Sequence, residues 1–144
     1  MVLKGVQMAK FALISCSKVK KDYPCPAKEM YMESPLFRKA IHYIEKQDYN
    51  DWYILSAKYG LLNKETFIEP YDVTLNNMNA GERKEWTENV YKQILELEPL
   101  QLYFYAGKKY REYLIPLLEK KGIQCYVPLE GLGIGEQLSF YKVK

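Results

Sequence analysis

The chain has 144 residues, 48% of them hydrophobic and 27% charged, and its 21 Lys+Arg against 18 Asp+Glu leave a net charge of +3. That length suits one domain spanning 1–144 and argues against a two-domain enzyme, because a single core usually takes roughly 100–150 residues. No run reaches the roughly 18 apolar residues of a bilayer span, and Met1-Val2-Leu3-Lys4-Gly5 lacks a signal-peptide pattern, so the reading is cytoplasmic with no membrane partner.

The first apolar run, Phe11-Ala12-Leu13-Ile14-Ser15, shows no polar alternation, which predicts a central strand covered on both faces. From Ser17 to Met32 no period is sustained and prolines recur, which predicts a long loop with a task of its own. Ser34-Pro35 supplies an N-cap and a first-turn proline, and Leu36, Phe37, Ala40, Ile41 and Ile44 fall on one face of the helix that follows.

Trp52-Tyr53-Ile54-Leu55-Ser56 predicts the second strand, stopped at Tyr59-Gly60, with an irregular stretch from Leu62 to Asn77. Asn79-Ala80-Gly81-Glu82 opens a helix with a capping-box pair, and Trp86, Val90, Ile94 and Leu97 form its buried seam. Leu100 to Tyr105 is the third strand. One helix is then expected over about Lys109 to Lys120, bent at Pro116 and stopped by Gly122. Ile123 to Val127 is the fourth strand, and a short amphipathic piece follows the glycine-spaced segment 131–135.

Strands alternating with helices predict an α/β fold: a three-layer sandwich whose four-stranded, mainly parallel sheet, in order 2-1-3-4, lies between helices. Right-handed crossovers bring the residues after each strand to one edge, where ligands bind. That edge collects Ser15, Cys16, Ser17 and Lys18, then Ser56, Lys58, Ala106, Gly107, Lys108 and Gly131. Small residues let backbone amides approach an anion, hydroxyls donate to its oxygens, and an ammonium supplies charge. Ser15, Ser17, Lys18, Ser56, Lys58, Tyr71, Gly107 and Gly131 are therefore candidate ligand contacts for a phosphate-bearing nucleotide, nucleoside or nucleic acid.

Asp72, held beside Pro70-Tyr71, is the candidate catalytic acid/base; its alternative role is an Asx-turn contact near Thr74. Glu33 and Glu69 are secondary candidates. Most of the 21 cations are Lys, which suits phosphate contacts better than bidentate base reading. The 14 tyrosines serve either as stacking platforms or as half-buried core residues. Cys16 is either a thiol activated beside Lys18 or an inert one, and Cys25, between two prolines, is expected to be exposed. Three cysteines and one histidine disfavour a disulfide framework and a zinc site, so neither metal nor cofactor is expected. No P-loop and no nucleophile elbow are present.

Several blocks carry a resemblance: Ile14-Ser15-Cys16-Ser17-Lys18, Tyr31-x-x-Ser34-x-x-Phe37, Leu55 to Leu62, Pro70-Tyr71-Asp72, Ala106-Gly107-x-x-Tyr110, and Pro128 to Leu138. Together they resemble an uncharacterised bacterial and phage family of unknown function, DUF6884. More distantly, the end of the first strand and the run from Tyr59 to Tyr71 are similar to the YaaA family of peroxide-stress proteins, associated with DNA binding and limitation of oxidative damage. That family carries an arginine where this chain has Asp72. The resemblance implies an α/β domain whose motifs line one cleft, and as an alternative function a non-enzymatic DNA-binding, protective module. The architecture is also similar to uracil-DNA-glycosylase-like folds.

Overall fold

Each of the four apolar runs becomes a strand of one sheet, because β-branched and aromatic side chains fit a pleated surface buried on both faces. The structure, a computed structural model, describes residues 9–142; the reading of Met1-Val2-Leu3-Lys4-Gly5 lies outside them. In chain order the elements are β1 (Lys10–Ser15), β2 (Cys25–Pro26), α1 (Ala27–Met30), α2 (Pro35–Glu45), β3 (Asp51–Ser56), β4 (Gly60–Asn63) and β5 (Phe67–Ile68). A 3₁₀ turn (Leu75–Asn77), α3 (Ala80–Leu95), β6 (Gln101–Tyr105), α4 (Lys108–Arg111), α5 (Leu114–Lys120), β7 (Gln124–Tyr126) and α6 (Ile134–Lys142) complete them.

The main sheet runs β4-β3-β1-β6-β7. β3, β1, β6 and β7 are mutually parallel, and β4 is antiparallel to β3. Five strands replace the expected four. Gly60, at φ +74°, reverses the chain directly after β3, and Leu62 turns into the core, so the segment opens as a hairpin strand before it becomes irregular.

The two long excursions are ordered by each other. Cys25–Pro26 pairs antiparallel with Phe67–Ile68 in a small ribbon, and the Ala27 amide donates to the Thr66 carbonyl at 2.7 Å. Cys25 is consequently buried at 4% exposure rather than exposed.

The expected helix over Lys109 to Lys120 is two helices, broken at Glu112 and Tyr113. Pro116 does not bend it, because it lies in the first turn of α5, where a missing amide costs no intrahelical bond.

Both sheet faces are covered. Ala12, Ile14, Trp52 and Ile54 meet Phe37, Ala40, Ile41 and Ile44 of α2 and Tyr141 of α6. Leu13, Leu55, Leu102 and Phe104 meet Trp86, Val90 and Ile94 of α3 and Leu114 and Leu118 of α5. Among the described residues no helix is long and apolar enough to cross a membrane.

Candidate cleft at the carboxyl edge of the sheet

Parallel strands deliver their carboxyl ends to one edge, and the ends of β1 and β6 open there into a cavity of about 480 Å³. Its floor is Ile14 and Ser15 at the end of β1 with Cys16 and Ser17 just after it, and Phe104 and Tyr105 at the end of β6 with Ala106 just after it. One wall is the face of α2 carrying Leu36, Phe37 and Ala40. The Ser34 hydroxyl accepts the Phe37 amide at 3.3 Å and Pro35 takes the first helical position, which fixes where that wall begins.

The opposite wall is Gly107, Lys108, Lys109, Tyr110 and Arg111. Lys108 and Lys109 are exposed at the rim. Arg111 is braced: its Nε donates to the Ala106 carbonyl at 3.1 Å, and its guanidinium lies 3.7 Å from the Glu130 carboxylate. The far side is Leu129, Gly131, Leu132, Ile134, Gln137 and Tyr141. Gly131 adopts φ +87° in the turn there, while the Gly133 amide donates to Glu136 Oε1 at 2.9 Å at the start of α6. The glycine-spaced segment is thus a turn followed by a helix start.

The sequence-derived candidates divide between two places. Ser15, Ser17, Gly107 and Gly131 line the cleft. The Ser15 hydroxyl makes no hydrogen bond among the described residues, and the Ser17 hydroxyl accepts the Val19 amide at 3.1 Å, keeping its own proton to donate. Lys18, Ser56, Lys58, Tyr71 and Asp72 are not among the lining residues.

Ser56 is fully buried. Its hydroxyl accepts the amides of Lys58 at 3.2 Å and Tyr59 at 3.0 Å and donates to the Tyr71 hydroxyl at 2.9 Å. Tyr71 in turn shares a 2.7 Å bond with Tyr31. This buried polar chain, closed above by the Trp86 indole donating to the Ser56 carbonyl at 2.9 Å, occupies the space after β3. Lys18, Lys58 and Asp72 lie exposed outside it.

Cys16 stands where the two halves meet, its thiol on the cleft floor and 3.2 Å from the Tyr110 hydroxyl. Burial first, and then the Cys16 thiol beside them, holds the Tyr71 and Tyr110 hydroxyls above the usual phenol range; burial does the same for Tyr31, Tyr105 and Tyr141. The phenols facing this region are therefore neutral donors at physiological pH. Among the described residues no group of three or more His, Cys, Asp or Glu is placed to hold a metal ion.

Sequence reasoning missed Lys109, Arg111 and the walls from α2 and α6. The signal for α2 was present in the Ser34-Pro35 start, which aims the first turn of that helix at the strand ends. The α6 wall had no comparable local signal, because its seam of Gln137 and Tyr141 is short.

The model of a family of unknown function, DUF6884, matches residues 11–143. An uncharacterized protein of Bacillus subtilis (strain 168), YfjM, is 34% identical over 120 residues, covering 74% of this chain and 75% of that protein. No solved structure matches the chain.

Proposed function

We propose that this chain, which belongs to the DUF6884 family, binds a phosphate-bearing, nucleotide-class ligand in the cleft at the carboxyl edge of its sheet. One observation carries the reading: a cavity of about 480 Å³ joins an apolar interior to a rim bearing Lys108 and Lys109, with the Ser15 and Ser17 hydroxyls on its floor. Small-ligand pockets run from about 300 to 1,000 Å³ and combine apolar walls with a few fixed polar groups. Leu36, Phe37, Leu129 and Leu132 suit a ring, and the cationic corner with its hydroxyls suits an anion.

A bond-breaking step at a glycosidic or phosphate bond, with Asp72 as acid/base, draws no support from this geometry, because Asp72 is exposed and outside the lining. The reading is therefore one of binding. No observation favours the protective role in oxidative stress over it.

Thermal-shift titration with nucleoside monophosphates, the matching nucleosides and inorganic phosphate tests it. Monophosphates raise the melting temperature, and Lys108→Ala/Lys109→Ala cuts the rise. If nucleosides and monophosphates shift it equally, or neither shifts it, the cationic corner does not hold a phosphate and the reading falls.

A further inference from the structure

The lysines that lie outside the cleft are arranged along the same edge. The sheet order places the carboxyl ends of β6, β1 and β3 side by side, with neighbouring strands about 4.8 Å apart. Lys108 and Lys109 follow β6, Lys18 and Lys20 follow β1, and Lys58 follows β3. Lysines thus follow three adjacent strand ends in a row that starts at the mouth of the cleft. Among the described residues none of these five pairs with a carboxylate within 4 Å, a property they share with other surface lysines such as Lys39, Lys84 and Lys92, so what sets them apart is their place after adjacent strands.

Two of the five, Lys20 and Lys58, are seated on aromatic rings. Lys20 Nζ lies 4.5 Å from the Tyr71 centroid and Lys58 Nζ 5.3 Å from that of Tyr59, and the two rings meet edge to face at 5.6 Å. Lys20 Nζ also donates to the Lys18 carbonyl at 3.3 Å, which ties the β1 exit together. Tyr23, in the same loop, presents a ring that is 51% exposed. Glu69 and Asp72, both exposed, flank Pro70-Tyr71 in the chain and bring negative charge to that loop.

Resting on the cleft reading above, we infer that the natural ligand is the end of a single-stranded polynucleotide, its terminal nucleotide in the cleft and its next phosphates crossing Lys18, Lys20 and Lys58. Cavity size limits what enters to about one nucleotide, yet the cations extend beyond it. A single row of lysine point charges with the exposed Tyr23 ring beside it matches one backbone with splayed bases, because the stacking and the phosphate contacts are both indifferent to sequence. A duplex would present its bases already stacked and gain nothing from that ring.

The experiment compares thymidine monophosphate with oligothymidylates and oligouridylates of three, six and twelve nucleotides and with a twelve-base-pair duplex, by competition anisotropy at several salt concentrations. Six nucleotides bind about tenfold or more tighter than one, consistent with added stacking and phosphate contacts. The salt slope steepens by about 2, since each of three added contacts on a single strand contributes about 0.7. Lys18→Ala/Lys20→Ala/Lys58→Ala removes that gain and leaves monophosphate binding intact, whereas Lys108→Ala/Lys109→Ala weakens every ligand. Monophosphate binding with no gain from length, a triple variant with an unchanged slope, or a tighter duplex overturns the polynucleotide inference alone. Absence of binding by any of them overturns the cleft reading as well.

Discussion

The Cys16 thiol and the Tyr110 hydroxyl share a 3.2 Å hydrogen bond that ties the end of β1 to the helix after β6, two stretches 94 residues apart in the chain. Tyr110 also sets its ring edge-on against Trp86 at 5.6 Å, so its hydroxyl is aimed by packing rather than by the short helix that carries it. The cleft floor is therefore held by contacts that cross the sheet edge, and each of them can be removed singly.

Tyr110→Phe keeps the ring contact with Trp86 and deletes only the bond to sulfur. The expected loss of stability is at the low end of about 0.5–1.5 kcal/mol, because a thiol is a weak partner. The more telling measurement is labelling of Cys16 by a maleimide, which becomes faster in the variant. Cys25 is buried and the Cys125 thiol is pushed up to about 12 by burial, so neither competes at neutral pH. A labelling rate equal to that of the parent chain would show that the hydroxyl does not guard the thiol.

Ser56→Ala leaves two backbone amides and the Tyr71 hydroxyl without their shared partner inside the fold. Removing one member of a buried set costs roughly 1–3 kcal/mol, and this serine holds three bonds, so the upper part of that range is expected in urea unfolding. Tyr71→Phe breaks the same chain at its middle, deleting the bonds to both Ser56 and Tyr31. The double variant is expected to cost less than the sum of the two, because both delete the Ser56–Tyr71 bond. Simple additivity would mean that the bond contributes nothing.

These residues also mark where the sequence was and was not legible. The parallel strands announce themselves, since Phe11–Ser15, Trp52–Ser56, Leu100–Tyr105 and Ile123–Val127 are continuous runs bounded by turn residues. Ser15 and Ser56 look equivalent as strand-end hydroxyls, yet they are not. Ser15 sits opposite Leu55 in the register, so Ser56 lies one position on and points to the other face of the sheet. Side-chain period is a local property and was readable; register between strands distant in sequence was not. The tyrosine chain from Tyr31 through Tyr71 to Ser56 depends on that register, which is why the candidates split into two groups.

The hairpin at Gly60 was hidden for a different reason: Gly60-Leu61-Leu62-Asn63 has too few alternating positions to signal a strand, and the turn is set by one left-handed residue. Gly60→Ala puts a side chain at φ +74° and its Cβ at 2.5 Å from Gln93 Oε1, the atom that accepts the Leu61 amide at 3.0 Å. Left-handed strain of about 1–3 kcal/mol adds to the displacement of Gln93. Gln93→Ala in the Gly60→Ala background relieves the clash but not the strain, so it recovers part of the loss measured by thermal unfolding. Full recovery would place the whole effect in the clash.

Alkaline pH unfolds the protein through its buried phenols. Burial raises the Tyr49 hydroxyl to about 12 in the folded chain, against an ordinary value of 10.0, and the Tyr105 hydroxyl that it meets at 2.6 Å lies higher still. Such a group binds its proton more tightly when folded. Its contribution is complete below pH 10, where folded and unfolded chains are both protonated, and is lost as pH rises toward 12 and the unfolded phenolate becomes the favoured state. Urea midpoints are therefore insensitive to these phenols between pH 7 and 9 and fall steeply above 10. Tyr49→Phe/Tyr105→Phe gives up their mutual bond at neutral pH but titrates two fewer groups, so its midpoint falls less steeply than the parent's across that window. Parallel decline in both proteins would place the alkaline sensitivity elsewhere, in Tyr71, Tyr110 and their neighbours at the cleft.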